Sequence, residues 1–294
     1  MTLYSQITSN KRKSFFLLIF VVVFVIGVVG LYSYSVQKDF SLAVIAAIFA
    51  IPSSLIGYYT GDKIALAANR AVSTSKEQAP ELHRIIENLS ITAGVPMPRI
   101  YIIDSPALNA FATGRDPEHA SIAVTTGLIA ALDKTELEGV LAHELSHIQN
   151  YDIRFAMLVA IFIGFIVIVS DMVTRSMFFH GGRRSNKNNS QAGAVMAIVS
   201  IVLLIISPLI AKIIQLAISR QREFLADSSG ALLTRYPEGL ASALEKIAHG
   251  KPLETASNAT AHLFIANPFN AKTIMSWFST HPPIEERVKR LRQA

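Results

Sequence analysis

The sequence predicts a mainly α-helical membrane protein in which four transmembrane helices are combined with a polar α+β domain that contains a small sheet. Two observations predict this class. Hydrophobic residues make up 51% of the 294 residues and charged residues only 16%, a balance that favours a membrane protein. The apolar residues are also concentrated in four long runs, each close to the ~20 residues that a helix needs to cross the hydrocarbon core.

The first two runs predict a transmembrane hairpin over residues 1–60. The run Ser14–Leu31 carries no charge and is longer than the apolar core of a secretory signal. A second run extends from Phe40 to about Tyr59, with Pro52 inside it as a candidate kink. Because the second run follows so closely, we expect the first to be an uncleaved span.

Residues 61–153 have the composition of a globular domain. Apolar residues recur at helical spacing in Lys76–Ala93, and glycine and proline follow that helix. The β-branched runs Arg99–Ile103 and Ser121–Thr126 predict strands that pair through the NAFATG turn region between them. A further helix is predicted to begin at about Asp133. A capping residue, an acidic first turn and a stripe of apolar residues all indicate it.

Residues 154–218 predict a second transmembrane hairpin. Its two apolar runs extend from Phe155 to about Val173 and from Ala192 to about Ile218. The remaining residues 219–294 are polar again and predict a second part of the globular domain. Two helices are expected there, one over about Glu238–Ala248 and a basic one from Ile284.

The motif HELSH lies on the helix that begins near Asp133. Positions i and i+4 face the same side of a helix, so His143 and His147 can reach one metal ion. Glu144 is then placed to take the proton of an attacking water molecule, which is the arrangement of a zinc hydrolase. A solvated surface helix that carries HExxH by chance is the plain alternative. The apolar stripe of this helix argues against that alternative.

A catalytic zinc ion usually takes three protein ligands, and Glu223 is the predicted third ligand. It lies in SRQREFLAD, immediately after the fourth apolar run. Two crossings separate it from His147, so both residues lie on the same side of the membrane. The ligands are then on the order of 10 Å outside the hydrocarbon if the helices continue unbroken.

Asp227, one helical turn beyond Glu223, is expected to accept the free ring N–H of a liganding histidine. A salt bridge to Arg220 or Arg222 on the same helix explains this aspartate nearly as well. Two other polar residues close to HELSH are alternatives for the same role, namely Asn150 and Asp152.

With these residues the chain resembles the HtpX-type membrane zinc metalloproteases, the heat-shock protease group related to the CAAX prenyl endopeptidases. The resemblance covers nearly the whole chain and is carried by NAFATG at Asn109–Gly114, HELSHIQNYD at His143–Asp152, SRQREFLAD at Ser219–Asp227 and THPPIEER at Thr280–Arg287. It implies a gluzincin-like α+β zinc protease domain with one zinc ion per chain. The implied ligands are His143, His147 and Glu223, and the implied catalytic base is Glu144.

The same resemblance implies an endopeptidase that hydrolyses misfolded or damaged membrane proteins during protein quality control and stress. It further implies an integral multi-pass protein of the bacterial inner membrane whose catalytic domain faces the cytoplasm. The expected partners are membrane-protein substrates and the lipid bilayer, with self-cleavage as a further candidate reaction.

Three more residues are candidates for contact with substrate. Asn109 begins NAFATG, and in gluzincin-like enzymes an edge strand near the metal binds the substrate backbone. An ordinary turn asparagine is an equal explanation. His281 and Arg287 are candidates for stabilising the oxyanion of the tetrahedral intermediate. A rigid Pro-Pro turn at the start of the last helix explains their motif about as well.

The charge pattern concerns the membrane rather than nucleic acid. The net charge is +6, but the basic residues flank the apolar runs, as anchoring residues do. The cluster Lys11–Lys13 predicts a cytoplasmic amino terminus and therefore a cytoplasmic catalytic domain. The basic loop of Arg183, Arg184 and Lys187 disagrees with this orientation, because the same count of spans places it outside. The alternative is that the second hairpin does not fully cross the membrane.

Other function classes are weighed against these features. The chain has no cysteine, which excludes disulfides and thiolate metal sites. A non-catalytic zinc-binding chaperone or scaffold is disfavoured by the intact Glu144. A prenyl-protein endopeptidase is disfavoured by the small number of spans. A channel is disfavoured because the spans contain almost no charged residue apart from Asp171.

Overall fold

A computed structural model describes residues 3–37, 39–164, 220–253, 260–266 and 282–293. Its helices are α1 (Leu3–Gln37), α2 (Ser41–Ala68), α3 (Pro80–Ala93), α4 (Thr126–Ala131), α5 (Lys134–Gln149), α6 (residues 152–164), α7 (Arg220–Thr234), α8 (Pro237–Ala248) and α9 (Ile284–Leu291). Its strands are β1 (Val72–Ser73), β2 (Arg99–Ile103), β3 (Ala110–Gly114) and β4 (Ala120–Thr125).

The first two predicted spans lie in the long helices α1 and α2, which pack against each other. Within the described residues one stretch, Ala43–Ala68, is long and apolar enough to cross a membrane, where the sequence predicts four. The third predicted run begins in α6, and α6 packs against α1 through residues such as Phe162 and Leu17. The rest of that run and the whole of the fourth lie outside the described residues. The protein is therefore a helix-rich chain with a small sheet.

One sheet has the strand order β1-β2-β4-β3. The two predicted strands do pair, but β2 and β4 run parallel as direct neighbours. The NAFATG segment between them is not a turn region. Most of it forms β3, which pairs antiparallel with β4 at one edge of the sheet. Ala110–Gly114 is buried along its whole length, so it lacks the alternation of polar and apolar residues by which a half-exposed strand is predicted.

Helix α5 lies in the centre of the domain, packed against α3, α7, α8 and β3. Its start is fixed by a capping box in which Asp133 accepts from the Glu136 backbone and the Glu136 side chain accepts in return. The predicted apolar stripe is buried, namely Leu137, Val140, Leu141, Leu145 and Ile148. The opposite side of the helix is buried too, which excludes a solvated surface helix as the carrier of HELSH.

Two glycines allow the helices to approach α5 closely. A Cβ at Gly139 would lie 2.6 Å from the backbone nitrogen of Leu240 in α8, and a Cβ at Gly230 in α7 would lie 3.0 Å from the backbone nitrogen of His143. Side chains of normal size at either position would push the neighbouring helix away. The positions of α7 and α8 therefore depend on the absence of these side chains.

We predict that Gly139→Ala lowers the free energy of unfolding by about 1–3 kcal/mol, because the added methyl group meets helix backbone that cannot rotate away. Denaturant unfolding of the detergent-solubilised protein measures this change. Gly27→Ala is the matched control, since a Cβ at that helical glycine has no described neighbour within 4 Å apart from the adjacent residues and backbone of its own helix. A Gly139→Ala protein at least as stable as the control would contradict the close α5–α8 contact.

Candidate metal centre

The structure brings together the three predicted ligands. The Nε2 atoms of His143 and His147, on one face of α5, are 3.1 Å apart. Helix α7 places Glu223 opposite them, with one carboxylate oxygen 3.7 Å from His143 Nε2 and the other 3.7 Å from His147 Nε2. One ligand atom from each residue lies within 4.8 Å of the other two. The three side chains can thus converge on a single metal ion.

Each histidine is held by an aspartate at its other ring nitrogen. His143 Nδ1 is 2.9 Å from Asp227 Oδ1, and His147 Nδ1 is 3.1 Å from Asp152 Oδ2. A carboxylate at Nδ1 favours the proton on that nitrogen, which leaves the lone pair of Nε2 directed at the cluster. Asp227 therefore lies where it can accept the ring N–H of His143, as expected. Asp152 occupies the same position relative to the ring of His147.

Arg287 lies behind this cluster. Its side chain is completely buried, and Nε and Nη2 donate to the two oxygens of Asp227 at 2.9 and 2.7 Å. Nη1 donates to the carbonyl oxygen of Ile265 at 3.0 Å. Within the described part of the chain, Asp227 is therefore paired with Arg287. It forms no salt bridge there with Arg220 or Arg222, the partners considered above. Arg287 is therefore placed to hold a buried carboxylate, while its Nη1 lies 3.8 Å from a Glu223 oxygen, and the oxyanion role expected for it stays a prediction.

Asn109 also has a different place from the one expected. Its side-chain amide donates to the carbonyl oxygen of Ala266 at 3.1 Å, while its Oδ1 accepts from the Ala110 backbone at 3.1 Å. The side chain is buried and links the start of β3 to the segment 260–266, and its predicted contact with substrate stays a prediction. His281, the other predicted oxyanion residue, lies outside the described residues.

The charges of the cluster follow from burial and from its neighbours. Burial raises the pKa of the Glu144 carboxyl to about 7 and lowers the pKa of His143 to about 4. Burial also opposes ionisation of Asp227, but the charge of Arg287 outweighs it and lowers the pKa of Asp227 to about 2. His147 likewise has its pKa raised to about 9, because Asp152 and Glu223 outweigh its desolvation. His143 is therefore a neutral ligand at pH 7, whereas a metal must displace a proton from His147.

The residues fit a zinc ion. Two imidazole nitrogens and one carboxylate form the ligand set of many catalytic zinc sites. Glu144 Oε1 is buried and has no hydrogen-bond partner among the described residues. A buried carboxylate oxygen without a partner is costly, so a water molecule beside the metal is the partner that this oxygen fits.

A cleft opens beside the cluster and is lined by residues of β3, α5, α6, α7 and the segment 260–266. Its walls include Ala112 of β3, Glu144 and Leu263. Phe264 bridges to Phe111, and the backbone N–H of Ile265 donates to the Ala110 carbonyl at 3.0 Å. The sequence does not predict this wall of the cleft, because the segment 260–266 carries no motif, and its contacts with β3 and Asn109 join residues about 150 positions apart. Nor does it predict His262, which lines the same cleft.

An HExxH helix with a glutamate from a second helix defines a class of zinc-type metallopeptidases. Residues 76–294 match Peptidase family M48, and the chain belongs to this family and is a metalloprotease. It is 44% identical to a protein named Protease HtpX homolog of Dictyoglomus turgidum, covering 99% of this chain and 94% of that protein. A protein of the same name from Caldanaerobacter subterraneus is also 44% identical, with 99% and 97% covered.

Among solved structures, the chain is similar to the crystal structure of S. mikatae Ste24p, with a TM-score of 0.51. That match covers 98% of this chain and 67% of the Ste24p chain at 19% sequence identity. At this identity the likeness concerns the fold alone.

We predict that Asp227→Asn weakens zinc binding about 10- to 100-fold, the usual effect of removing a carboxylate that orients a liganding histidine. Competition with a zinc chelator measures the dissociation constant. Ser228→Ala is the control, since this neighbouring side chain on α7 is exposed and bonds only within its own helix, to the Phe224 carbonyl. Equal affinities for Asp227→Asn and the wild type would show that Asp227 does not orient His143.

Proposed function

We propose that this metalloprotease is a zinc-dependent endopeptidase of the membrane that hydrolyses peptide bonds in misfolded or damaged membrane proteins. The observation that carries the proposal is the convergence of His143, His147 and Glu223 beside the buried carboxylate of Glu144. The place of this cluster supports the membrane part of the proposal. Helix α6 lines the cleft through Ile153 and Ala156 and contains the start of the third apolar run.

The residues of the chain account for the proposed reaction. His143, His147 and Glu223 would hold the zinc ion, which when bound supplies a Lewis acid that activates water near neutral pH. Glu144 accepts a proton from the attacking water and delivers it to the nitrogen of the leaving amine, so that the C–N bond breaks. Burial raises the pKa of the Glu144 carboxyl, and a raised pKa favours return of the proton to the leaving amine.

The edge strand β3 is the proposed docking strand for the substrate backbone. An extended peptide can add to a free sheet edge through main-chain hydrogen bonds. Residues 264 and 265 already cover the edge near Ala110 and Phe111, which leaves the part from Ala112 to Gly114, where the Ala112 backbone N–H donates to Glu144. Ala112 lines the cleft together with Glu144, so a peptide added there would pass the general base.

We predict that Glu144→Gln still binds zinc but loses peptide cleavage by a factor of about 10²–10⁴, the usual contribution of a general base. Cleavage of an unfolded protein such as casein, with and without a chelator, gives the rate. Glu138→Gln is the control, a half-buried glutamate on the same helix whose carboxylate lies near Lys134. Cleavage by Glu144→Gln at the wild-type rate would mean that another residue is the base.

This assay also separates the rival functions. A zinc-binding chaperone or scaffold would bind the unfolded protein without producing new termini. A prenyl-protein endopeptidase would cleave only prenylated peptides. Mass spectrometry of the products from purified zinc-loaded protein would in addition detect self-cleavage, which we propose as a secondary reaction.

The proposed location is the bacterial inner membrane, with four spans and the catalytic domain facing the cytoplasm. The basic cluster Lys11–Lys13 at the start of α1 supports this orientation. Two crossings between residues 154 and 218 would return the chain to the side where α5 lies.

Cysteine labelling provides a direct test of this orientation, because the natural chain has no cysteine. In inside-out vesicles we predict that an impermeant maleimide labels Lys76→Cys, on the exposed surface of the domain. It should label Asn188→Cys, in the basic loop, only after detergent is added. Labelling of both variants before detergent would show that the second hairpin does not cross the membrane.

A further inference from the structure

The amino-terminal end of α1 reaches the proposed metal centre. Asn10 is only 2% exposed. Its side-chain Nδ2 donates to Asp152 Oδ1 at 2.7 Å and to the carbonyl oxygen of Asn150 at 2.9 Å. The other oxygen of Asp152 faces His147 Nδ1 at 3.1 Å. A continuous hydrogen-bonded chain therefore connects the first long helix with one of the three predicted ligands.

Asn10 contacts the turn at residues 150–152, whose backbone conformation is unfavourable. Tyr151, between the residues that Asn10 bonds, has a φ of 60°, a left-handed conformation that bulky residues rarely adopt. The ammonium of Lys11 lies 4.2 Å from the centre of the Tyr151 ring, and the guanidinium of Arg154 lies 4.9 Å from it. Adjacent residues of α1 thus hold both the backbone and the side chain of this turn.

The two oxygens of Asp152 have different partners, and this division sets its orientation. Oδ1 receives the short bond from Asn10 and a longer contact of 3.5 Å from Arg222, while Oδ2 is directed at His147. If the Asn10 amide is removed, the short and directional bond that fixes the carboxylate plane is lost. The carboxylate can then rotate, and the ring of His147 is no longer held with Nε2 toward the cluster.

We propose that Asn10 is a positioning residue of the metal centre, which makes the membrane-surface end of α1 a part of the zinc site. Through Asp152 it orients His147, although it lies far from the HELSH and SRQREFLAD motifs in sequence. The inference rests on the proposed zinc site of His143, His147 and Glu223. It extends that site from the protease domain into the first transmembrane hairpin.

The zinc affinity of the full-length detergent-solubilised protein tests this inference. We expect Asn10→Leu, which keeps the side-chain volume but removes the donor, to weaken zinc binding about tenfold, the lower end of the effect of outer partners of a ligand. Ser14→Ala is the matched control, because Ser14 is a buried residue of the same helix whose hydroxyl has no partner among the described residues. Its affinity should equal that of the wild type.

A double-mutant cycle distinguishes positioning from a general structural effect. If Asn10 acts through Asp152, the double variant Asn10→Leu with Asp152→Ala binds zinc no more weakly than Asp152→Ala alone. In the cobalt-substituted protein, Asn10→Leu and Asp152→Ala should shift the visible absorption bands in the same direction, and Ser14→Ala should not shift them. Asn10→Ala provides the same comparisons if Asn10→Leu does not fold.

Three outcomes would overturn the inference. Wild-type zinc affinity in both Asn10 variants would show that α1 does not support the site. Additive losses in the cycle would show that Asn10 does not act through Asp152. Unchanged zinc binding in Glu223→Ala, measured alongside, would remove the proposed zinc site itself and the inference with it.

Discussion

The packing of α5 against α7 is the contact on which the proposed metal centre depends. Helix α5 contributes two imidazoles and a general base, and α7 contributes the third ligand from a part of the chain more than 70 residues away. Because Gly230 has no side chain, the backbone of α7 can pack directly against the backbone of His143. Any wider separation of the two helices would move Glu223 away from both histidines.

This close contact buries several carboxylates, and buried arginine side chains balance their negative charge. Burying an unpaired carboxylate is costly, and three of the carboxylates here belong to Glu223, Asp227 and Asp152. Arg287 from α9 pairs with Asp227 through two parallel hydrogen bonds, the geometry for which a guanidinium is suited. Arg222 lies beside Asp152 on the opposite side of the cluster. These ion pairs therefore join α9 to α7 and α7 to α6, in addition to the apolar packing of the helices.

The parts of the site that follow from local spacing could be predicted from the sequence. HELSH places two histidines on one face of any helix, and Glu223 with Asp227 repeats the same spacing after the second hairpin. The parts that depend on distant contacts could not be predicted. Nothing in the sequence near Arg287 distinguishes a residue that holds Asp227 from one that contacts an oxyanion. The role of Asn10 in α1 has no local signature either. The sequence predicts a turn region where β3 lies, because burial on both faces of this strand removes the usual alternation of polar and apolar residues.

The most direct test of the ligand assignment is a crystal structure of the zinc-loaded protein with anomalous data collected at the zinc edge. We expect one anomalous peak per chain at zinc–ligand distances of about 2.0–2.2 Å from His143 Nε2, His147 Nε2 and a carboxylate oxygen of Glu223. Asp227 and Asp152 should remain on the far nitrogens of the two rings. A peak bound by Asp227 or Asp152 in place of Glu223, or a peak elsewhere in the chain, would contradict the account.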